Sequence, residues 1–325
     1  MFTFVTISYN QERFIVEHLE SIKYQIENFG ANQRFEYVLS DDGSSDSTIQ
    51  LAEKWIESND ELFAKVHLLR SNENRGIVQN YLRGTSQIET EAHKVLAGDD
   101  LFYRNDVFGV IGDYDLVLSP VIKHENAHVT GHMGIDHLIP RKDIRSLESL
   151  IRMGNYFNAP GLFMTTELVR DSGLKNAIAR YKWIEDLPTW HYLFTQKNDL
   201  RINISKVPYV LYRTSHGISM NKRNARHSEF DAERRRMAKD LDLKVFRYPK
   251  YVNPYRYYMK YLDLKHRYYD SKWNQEIIEA NEIMRREINE APDYINDIRK
   301  KAADFYTSIG REDLYELQLI AKDKN

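Results

Sequence analysis

The chain contains 325 residues with a formal net charge of −2, 42% hydrophobic and 29% charged residues, and no cysteine. This composition is typical of a soluble globular protein with one large domain, or one ordinary and one smaller domain, and it gives no reason to expect nucleic-acid binding. The missing cysteines exclude disulfides, thiolate zinc sites and thiol nucleophiles, and they fit a reducing cytoplasm.

No apolar segment approaches the roughly 20 residues that a membrane-spanning helix requires. The short apolar N-terminus lacks a basic region and a cleavage signature, so it predicts a first strand and not a signal peptide. We therefore expect a cytoplasmic protein that is either soluble or peripheral at the inner face of a membrane.

Strand and helix patterns alternate along the first hundred residues, which is typical of βαβ units. Ser45 or Ser47 is the expected N-cap of the second helix. Nearly continuous apolar strands between helices indicate an α/β fold with a mostly parallel sheet that is covered on both faces. The patterns predict strands that begin near residues 2, 35, 64 and 92, a fifth strand over residues 113–122, and helices over residues 11–29, 48–59 and 77–88.

Polar clusters follow the predicted strands, and this position indicates a binding site. Ligands of parallel sheets bind outside the carboxyl ends of the strands. A random scatter of polar residues would not favour one edge of the sheet. The clusters contain Ser8, Tyr9 and Asn10, then Asp41 and Asp42, then Asn74, Arg75 and Gly76, and finally Asp99 and Asp100.

The turn DDGSSD at residues 41–46 joins a predicted strand to a predicted helix. A carboxylate at a strand end can accept hydrogen bonds from a ring N–H or from ribose hydroxyls, and the helix N-terminus beside it offers unpaired backbone donors. Asp, Gly and Ser are also common in turns, so a capped turn without a ligand is an equally good interpretation.

The adjacent acids Asp99 and Asp100 predict a cation site. Two ionised carboxylates side by side repel each other, and a site that keeps both charged usually needs a cation. Mg²⁺ and Mn²⁺ favour carboxylate ligands and often share them with the phosphates of a substrate. The alternative is that both side chains are solvated and that Asp100 caps the next helix.

Two later segments carry charged residues that suit chemistry. In WIEDLPTWHYL, apolar neighbours would raise the pKa of Glu185 or Asp186, which suits a general base. The alternative is that one of these acids caps a helix. In YRTSHGIS, Arg213 could neutralise a diphosphate and His216 could complete a metal shell, although a loop histidine is more often a surface residue.

Taken in order, six segments resemble the family 2 glycosyltransferases of the GT-A fold. They lie between residue 4 and about residue 219, and each alone is a weak motif. The resemblance implies a Rossmann-like GT-A catalytic domain over residues 1–225 that transfers a sugar from a nucleotide-diphosphate sugar by one inverting displacement. The segments are VTISYNQERFIVEHLESI, VLSDDGSSDST, NRGIVQNYLRG, VLAGDD, WIEDLPTW and YRTSHGIS.

The resemblance also implies roles for individual residues. Asp99 would bind a divalent Mn²⁺ or Mg²⁺ ion, with His216 as a further ligand. Asp186 would be the general base, with Glu185 beside it as the second catalytic acid. Arg213 joins the donor-binding group because its charge could neutralise the diphosphate. The expected donor-binding residues are Thr6, Ser8, Tyr9, Asp41, Asp42, Asn74, Arg75, Gly76, Asp100 and Arg213.

The chain departs from the family at one position of the metal motif. Family members often carry Asp-x-Asp-Asp there, whereas this chain has Ala97 in place of the first acid. The acceptor side is expected to include Asn158 and Gly161 from the segment YFNAPGLFMTTEL. The alternative for this segment is a buried loop that turns at Pro160 and Gly161.

Residues 226–325 predict a small helical C-terminal module without a family motif. Helical spacing predicts one helix after Pro254, a second that ends at Pro292 and a third that ends near Gly310. The segment 248–269 is crowded with tyrosine and basic residues. The module could therefore lie on an anionic membrane surface, form a homo-oligomer interface or pack against the catalytic domain.

The resemblance implies a metal-dependent hexosyl- or N-acetylhexosaminyl-transferase that uses a UDP-sugar. The acceptor would be a glycan on lipid or protein, as in polysaccharide biosynthesis or glycoprotein glycosylation. One alternative is a non-catalytic GT-A-like module that binds glycan or protein, which Ala97 favours and the acids Glu185 and Asp186 oppose. A nucleotidyltransferase is a second alternative, and the absence of a glycine-rich N-terminal loop argues against it.

Overall fold

The computed structural model describes residues 1–139, 141, 143–153, 157–214, 227–244, 254–265, 268, 272 and 274–314. The strands are β1 (Phe2–Ser8), β2 (Phe35–Asp41), β3 (Lys65–Arg70), β4 (Ala92–Ala97), β5 (Leu101–Phe102), β6 (Leu116–Leu118), β7 (Val121–Glu125), β8 (His128–Met133), β9 (Leu162–Met164), β10 (Ile202–Ile204) and β11 (Val210–Arg213). The helices are α1 (Ile15–Phe29), α2 (Thr48–Glu57), α3 (Ile77–Thr85), α4 (Ile144–Met153), α5 (Thr166–Arg170), α6 (Ser172–Ile178), α7 (Asp186–Gln196), α8 (His227–Asp240), α9 (Pro254–Lys265) and α10 (Gln275–Ser308).

A parallel sheet of four strands, in the order β3-β2-β1-β4, forms the centre of the N-terminal region. The mostly parallel sheet predicted from the sequence is therefore confirmed. Ser8 lies opposite Asp41, and Ile7 lies opposite Ala97 on the other neighbouring strand. Because the carboxyl ends of these strands are level, the polar turns that follow them meet at one edge.

Helices cover both faces of this sheet, as the sequence predicts. Side chains alternate between the two faces along each strand. Phe4 of β1 belongs to the same buried cluster as Ile15 of α1. The next residue, Val5, belongs with Val38 of β2 and Val78 of α3 to the cluster on the opposite face.

Two smaller sheets, β10-β6-β9 and β5-β11-β7-β8, extend the fold. The prediction of one strand from residue 113 to residue 122 is wrong, because β6 and β7 belong to different sheets. Pro120 stands between them and has no N–H with which to continue a strand ladder. The N–H of Ser119 instead donates to the carbonyl oxygen of Gly161 at 2.9 Å.

Ser47 occupies the N-cap position of α2, but its side chain makes no capping hydrogen bond. The neighbouring Asp46 performs this function, because its Oδ1 atom accepts from the backbone N–H of Thr48 at 3.0 Å. The N-cap position at Ser47 is thus as predicted, but the side chain that makes the capping hydrogen bond is that of Asp46.

Helix α10 is continuous through Pro292, so the prediction of two helices separated at this proline is wrong. A proline inside a helix removes one backbone hydrogen bond. Ala291 and Ile295 on either side of it are fully buried in one apolar cluster, and this packing holds the helix together. Near its end, the hydroxyl of Tyr306 donates to the carbonyl oxygen of Glu12 at 3.1 Å. The helix therefore packs against the N-terminal region.

The division into a catalytic domain and a C-terminal module stays a prediction. Its boundary, between residues 225 and 226, lies outside the described residues. Among the helices that the structure describes, none has the length and apolar character needed to cross a bilayer.

A buried carboxylate on α1 joins three distant parts of the chain. Glu17 Oε2 accepts a hydrogen bond from Arg213 Nη2 in β11 at 2.6 Å, and Glu17 Oε1 lies 3.4 Å from Arg299 Nε in α10. The side chains of Glu17 and Arg213 are each only 1% exposed. Charges that are removed from water in this way become strongly unfavourable when one partner is lost.

We expect Glu17→Gln to lower the free energy of unfolding by about 3–5 kcal/mol, because the buried charges of Arg213 and Arg299 lose their carboxylate. Urea unfolding followed by circular dichroism measures this change. Glu27→Gln is the matched control on the same helix, since Glu27 Oε1 lies 3.9 Å from Lys23 Nζ in an exposed pair. It should change the value by less than about 0.5 kcal/mol. Equal effects of the two substitutions would contradict the structural role of Glu17.

Candidate functional site

A cavity of about 610 Å³ opens at the carboxyl ends of β1 and β4. This volume lies within the usual range for small-molecule sites. Residues of α3, β9 and α7 complete its walls. The structure therefore brings together members of all four strand-end clusters and the Glu-Asp pair. The predicted site residues that line it are Ser8, Tyr9, Asp42, Asn74, Asp99, Asp100, Asn158, Glu185 and Asp186.

The carboxylate of Asp41 is used within the protein. Its oxygens accept from the hydroxyl of Ser8 at 2.8 Å and from the backbone N–H of Ser44 at 2.8 Å. The residue is buried and does not line the cavity. The capped-turn interpretation therefore describes the geometry of Asp41, and its neighbour is the acid that faces the cavity.

Asp42 lines the cavity and holds the loop between β3 and α3. Its carboxylate oxygens accept from the backbone N–H groups of Arg75 at 2.9 Å and Gly76 at 2.8 Å. Burial raises the pKa of Asp42, and these two donors oppose the rise. The side chain of Arg75 extends away from the cavity toward Glu73. Asn74 lines the cavity, and its buried Oδ1 atom has no hydrogen-bond partner among the described residues.

The backbone geometry at position 76 requires a glycine. Its φ angle is +97°, and a Cβ atom here would lie 2.6 Å from the carbonyl oxygen of Lys182. The N–H of Val78 donates to the same oxygen at 3.1 Å. Gly76 therefore does not line the cavity itself, but it allows this loop to pack closely on the segment that leads to Glu185.

The two acids after β4 have different environments. Asp99 is half-buried, lines the cavity and accepts a hydrogen bond from Gln11 Nε2 at 3.0 Å. Asp100 is buried, and its Oδ1 atom accepts from the backbone N–H of Arg213 at 2.8 Å. Burial and the adjacent charge of Asp99 raise the pKa of Asp100 well above its usual value. Asp100 precedes strand β5, so the interpretation that it caps a helix is wrong.

Asp99 is therefore the more exposed acid of this pair. Among the described residues, no group of three or more His, Asp or Glu side chains has an arrangement that could hold a metal ion. The predicted further ligand, His216, lies outside the described residues.

Two further predicted donor-binding residues, Thr6 and Arg213, also do not line the cavity. The hydroxyl of Thr6 forms a 2.7 Å hydrogen bond with Nε2 of His18 inside the protein. Arg213 donates from Nε to the carbonyl oxygen of Asp99 at 2.9 Å and from Nη2 to Glu17. Because this guanidinium group is buried in its ion pair, the geometry does not place it where it would neutralise a diphosphate.

The Glu-Asp pair lies at the start of α7. Glu185 occupies the N-cap position but makes no side-chain capping bond, and Asp186 is the first helical residue. Both side chains line the cavity beside Trp183 and Trp190. Burial and the charge of Asp186 raise the pKa of Glu185 to about 8. This rise favours the protonated form of Glu185 at neutral pH.

The two residues predicted for the acceptor side, Asn158 and Gly161, differ in their exposure to the cavity. Asn158 lines it and donates from Nδ2 to the carbonyl oxygen of Met133 at 3.0 Å. Gly161 does not line it. A Cβ atom at Gly161 would collide with the carbonyl oxygen of Ser119, so this glycine allows two segments to approach closely. The turn interpretation therefore fits the observed geometry of Gly161.

Lys94 is a buried cavity residue that our reading of the sequence missed. Its Nζ atom donates to the carbonyl oxygens of Pro160 at 2.6 Å and Leu162 at 2.5 Å, and it lies 4.3 Å from the ring centroid of Phe163. Burial lowers the pKa of Lys94 to about 7. This amine ties β4 to the acceptor-side segment. A lysine inside the otherwise apolar strand pattern AHKVLA is the signal that could have indicated it.

Carboxylates line the cavity at two separate places. Asp99 lies at the end of β4, where an oxygen ligand suits a hard cation. Glu185 and Asp186 lie at the start of α7 against aromatic side chains, where a carboxylate can accept a proton from a bound hydroxyl.

Comparisons with known proteins relate the chain to sugar-transferring enzymes. Residues 3–119 match the family described as Glycosyl transferase family 2. The structure of S. aureus TarS 1-349 in complex with UDP aligns with a TM-score of 0.52 and 18% identity over 98% of this chain and 89% of that one. Its complex with UDP-GlcNAc aligns with a TM-score of 0.51 and 17% identity over 98% and 90% of the two chains. A sequence search of curated proteins finds no match.

The raised pKa of Glu185 predicts how stability depends on pH. Between its ordinary pKa of 4.5 and the folded value of about 8, the unfolded chain releases this proton and the folded chain keeps it. Stability contributed by Glu185 is therefore present below pH 4.5 and is lost as the pH rises toward 8.

We expect the unfolding free energy of Glu185→Gln, relative to the unsubstituted protein, to increase over this pH interval and to be constant below it. Urea unfolding at a series of pH values measures the difference. Glu57→Gln, at an exposed position on α2, is the control and should show no such trend. A difference for Glu185→Gln that is constant from pH 4.5 to pH 8 would contradict the raised pKa.

Proposed function

We propose that this protein is a glycosyltransferase, because its residues 3–119 match glycosyl transferase family 2 and its fold is similar to that of TarS. It transfers a sugar from a UDP-sugar to a hydroxyl group of a glycan acceptor carried on lipid or protein, with inversion at the anomeric carbon. The observation that carries the proposal is the single cavity at the sheet edge that Asp99, Glu185 and Asp186 all line.

The choice of UDP is supported by TarS, whose structures contain UDP and UDP-GlcNAc. Tyr9, Asp42 and Asn74 are the residues of this chain that would surround the nucleoside, since all three line the cavity at the strand ends. The buried Oδ1 atom of Asn74, which lacks a hydrogen-bond partner among the described residues, fits an N–H or O–H donor of the base or ribose. Ser8 acts behind them by holding Asp41 in place.

A Mg²⁺ or Mn²⁺ ion fits the oxygen ligand that Asp99 offers to the cavity. Such ions are often held by one or two carboxylates, with substrate phosphates and water as the remaining ligands. When bound, the ion would neutralise charge that develops on the departing diphosphate. Gln11 would keep the Asp99 carboxylate in position through their 3.0 Å hydrogen bond.

Asp186 is the proposed general base. An acceptor hydroxyl attacks the anomeric carbon while the bond from this carbon to the diphosphate oxygen breaks, and UDP leaves with the bonding electrons. The hydroxyl proton passes to the carboxylate of Asp186. Glu185 cannot accept this proton while it holds its own, which its raised pKa favours at neutral pH. One displacement inverts the configuration, so no enzyme nucleophile is required.

The acceptor is proposed to bind beside the aromatic side chains that surround the Glu-Asp pair. Phe157, Trp183 and Trp190 line this part of the cavity together with Asn158. Flat aromatic walls with one amide group suit a sugar ring, because they offer apolar contact area and a small number of fixed hydrogen-bonding groups.

Donor binding should stabilise the folded protein. A UDP-sugar at about 1 mM, with Mn²⁺, should raise the melting temperature by about 2–4 °C if its Kd is about 10 μM. Differential scanning fluorimetry with UDP-glucose, UDP-GlcNAc, UDP-GalNAc and GDP-mannose measures the shift and ranks the donors. Asp99→Asn should remove the part of the shift that depends on Mn²⁺. No shift with any of these donors would contradict the proposed donor class.

Asp186→Asn should reduce kcat for transfer by about 10²- to 10⁴-fold, because the acceptor hydroxyl loses its proton acceptor. The donor-induced shift in melting temperature should be nearly unchanged. Asp304→Asn, at an exposed position on α10, is the control and should retain full activity. An active Asp186→Asn variant together with an inactive Glu185→Gln variant would assign the base to Glu185.

Release of UDP separates this proposal from a non-catalytic binding module. The protein should release UDP from its donor in a reaction that depends on the divalent ion. A donor-induced shift in melting temperature without UDP release, with or without glycan acceptors, would favour the binding module.

A further inference from the structure

The segment around α9 exposes an unusual number of large apolar side chains. Among the described residues, seven large hydrophobic side chains are exposed, and five of these lie between residues 257 and 268. Soluble proteins expose such side chains singly, and a cluster of them marks a binding surface. The five are Tyr257 (60% exposed), Tyr258 (48%), Tyr261 (59%), Leu264 (47%) and Tyr268 (72%).

Three of these residues form a stripe along α9. Tyr257, Tyr261 and Leu264 follow each other at intervals of four and three residues, which places them in one stripe. The exposed lysines Lys260 and Lys265 lie on opposite sides of this stripe. We name this surface the tyrosine-lysine face, and it consists of Tyr257, Tyr258, Lys260, Tyr261, Leu264, Lys265, Tyr268 and the exposed Lys272.

The charge of this segment is opposite to that of the whole chain. Residues 254–272 contain five Lys or Arg and two Asp, which gives a net charge of +3, whereas the chain carries −2. The positive charge is therefore concentrated where the apolar side chains are exposed. This combination complements a surface that is negatively charged and has an apolar layer beneath its charges.

We propose that the tyrosine-lysine face binds the surface of an anionic phospholipid bilayer. Tyrosine is enriched at the boundary between headgroups and acyl chains, because its ring is apolar and its hydroxyl remains in contact with water. Lysines on both sides of the stripe reach anionic headgroups. The helix lies along the bilayer surface, in agreement with the absence of a spanning helix among the described helices.

A second copy of this chain fits the same face less well. In a symmetric dimer the same surface patch of both protomers meets. Lys260, Lys265 and Lys272 of each protomer would then approach their counterparts, and like charges at an interface weaken association. An anionic bilayer instead gives each lysine a charge of opposite sign.

Vesicle binding of the full chain tests this proposal. The protein is mixed with phosphatidylcholine vesicles, or with vesicles in which about a third of the lipid is phosphatidylglycerol, and sedimented. We expect a bound fraction that depends on the anionic lipid and falls at about 0.5 M NaCl. No donor or acceptor is present, so the outcome is independent of the proposed glycosyl transfer. Equal sedimentation with and without phosphatidylglycerol would overturn the proposal.

Two double variants identify the surface. Lys260→Glu with Lys265→Glu, and separately Tyr257→Ser with Tyr261→Ser, should each lower the partition coefficient at least about tenfold. Because these side chains are exposed, the melting temperature should stay unchanged.

The controls change similar residues elsewhere on the surface. Lys54→Glu with Lys239→Glu replaces exposed lysines of α2 and α8, and Tyr114→Ser removes an exposed tyrosine outside the tyrosine-lysine face. These variants should bind vesicles as the unsubstituted protein does. Equal loss in the control variants would overturn the assignment to this face.

Analytical ultracentrifugation without lipid tests whether a second copy of the chain binds the tyrosine-lysine face. The protein should be monomeric at the concentrations used for sedimentation with vesicles. Self-association would replace the proposal if the protein forms a dimer, does not bind anionic vesicles, and becomes monomeric in the double variant Tyr257→Ser with Tyr261→Ser.

Discussion

The buried carboxylate of Glu17 is the constraint on which the sheet edge with the candidate site depends. Its charge must be balanced inside the protein, and Arg213 and Arg299 balance it from two elements that are far apart in the sequence. Arg213 in turn donates to the carbonyl oxygen of Asp99 and to the carboxylate of Asp100. Neutralising one charge on α1 therefore also fixes the turn that carries the candidate cation ligand, and it connects the C-terminal helix to that turn.

In each pair of adjacent acids at the strand ends, the two carboxylates have different contacts. Asp41 holds its own turn, and Asp42 holds the backbone of the next loop while one side of it still faces the cavity. Asp100 is occupied by the backbone of Arg213, which leaves Asp99 facing the cavity. Adjacent like charges are tolerated at such sites because one member is stabilised by backbone donors or by a proton. Paired acids in a sequence thus do not imply two ligands.

The sequence predicted features that depend on local periodicity and missed those that depend on distant contacts. Strands β1–β4 and helices α1–α3 follow from apolar spacing, and the rule about strand ends correctly brought the polar clusters together. The direction of the Arg213 side chain depends on Glu17, nearly two hundred residues earlier, so no local pattern contains it. The same holds for Pro292, where burial of the surrounding helix outweighs a local breaker, and for Lys94, whose partners lie in a later loop.

Ala97, which stands where the family often has an acid, affects how a cation could bind at this edge. Ala97 and Asp99 both line the cavity, while Asp100 is occupied by Arg213. Of the two acids after β4, Asp99 is the half-buried one, and a divalent ion held by this single carboxylate must take most of its ligands from water and from the diphosphate of a donor. In the proposed reaction, the divalent ion and the nucleotide then bind together. The diphosphate supplies most of the negative charge that attracts the ion, and the ion supplies most of the positive charge that attracts the diphosphate. Ala97 at this position is therefore compatible with the proposed reaction.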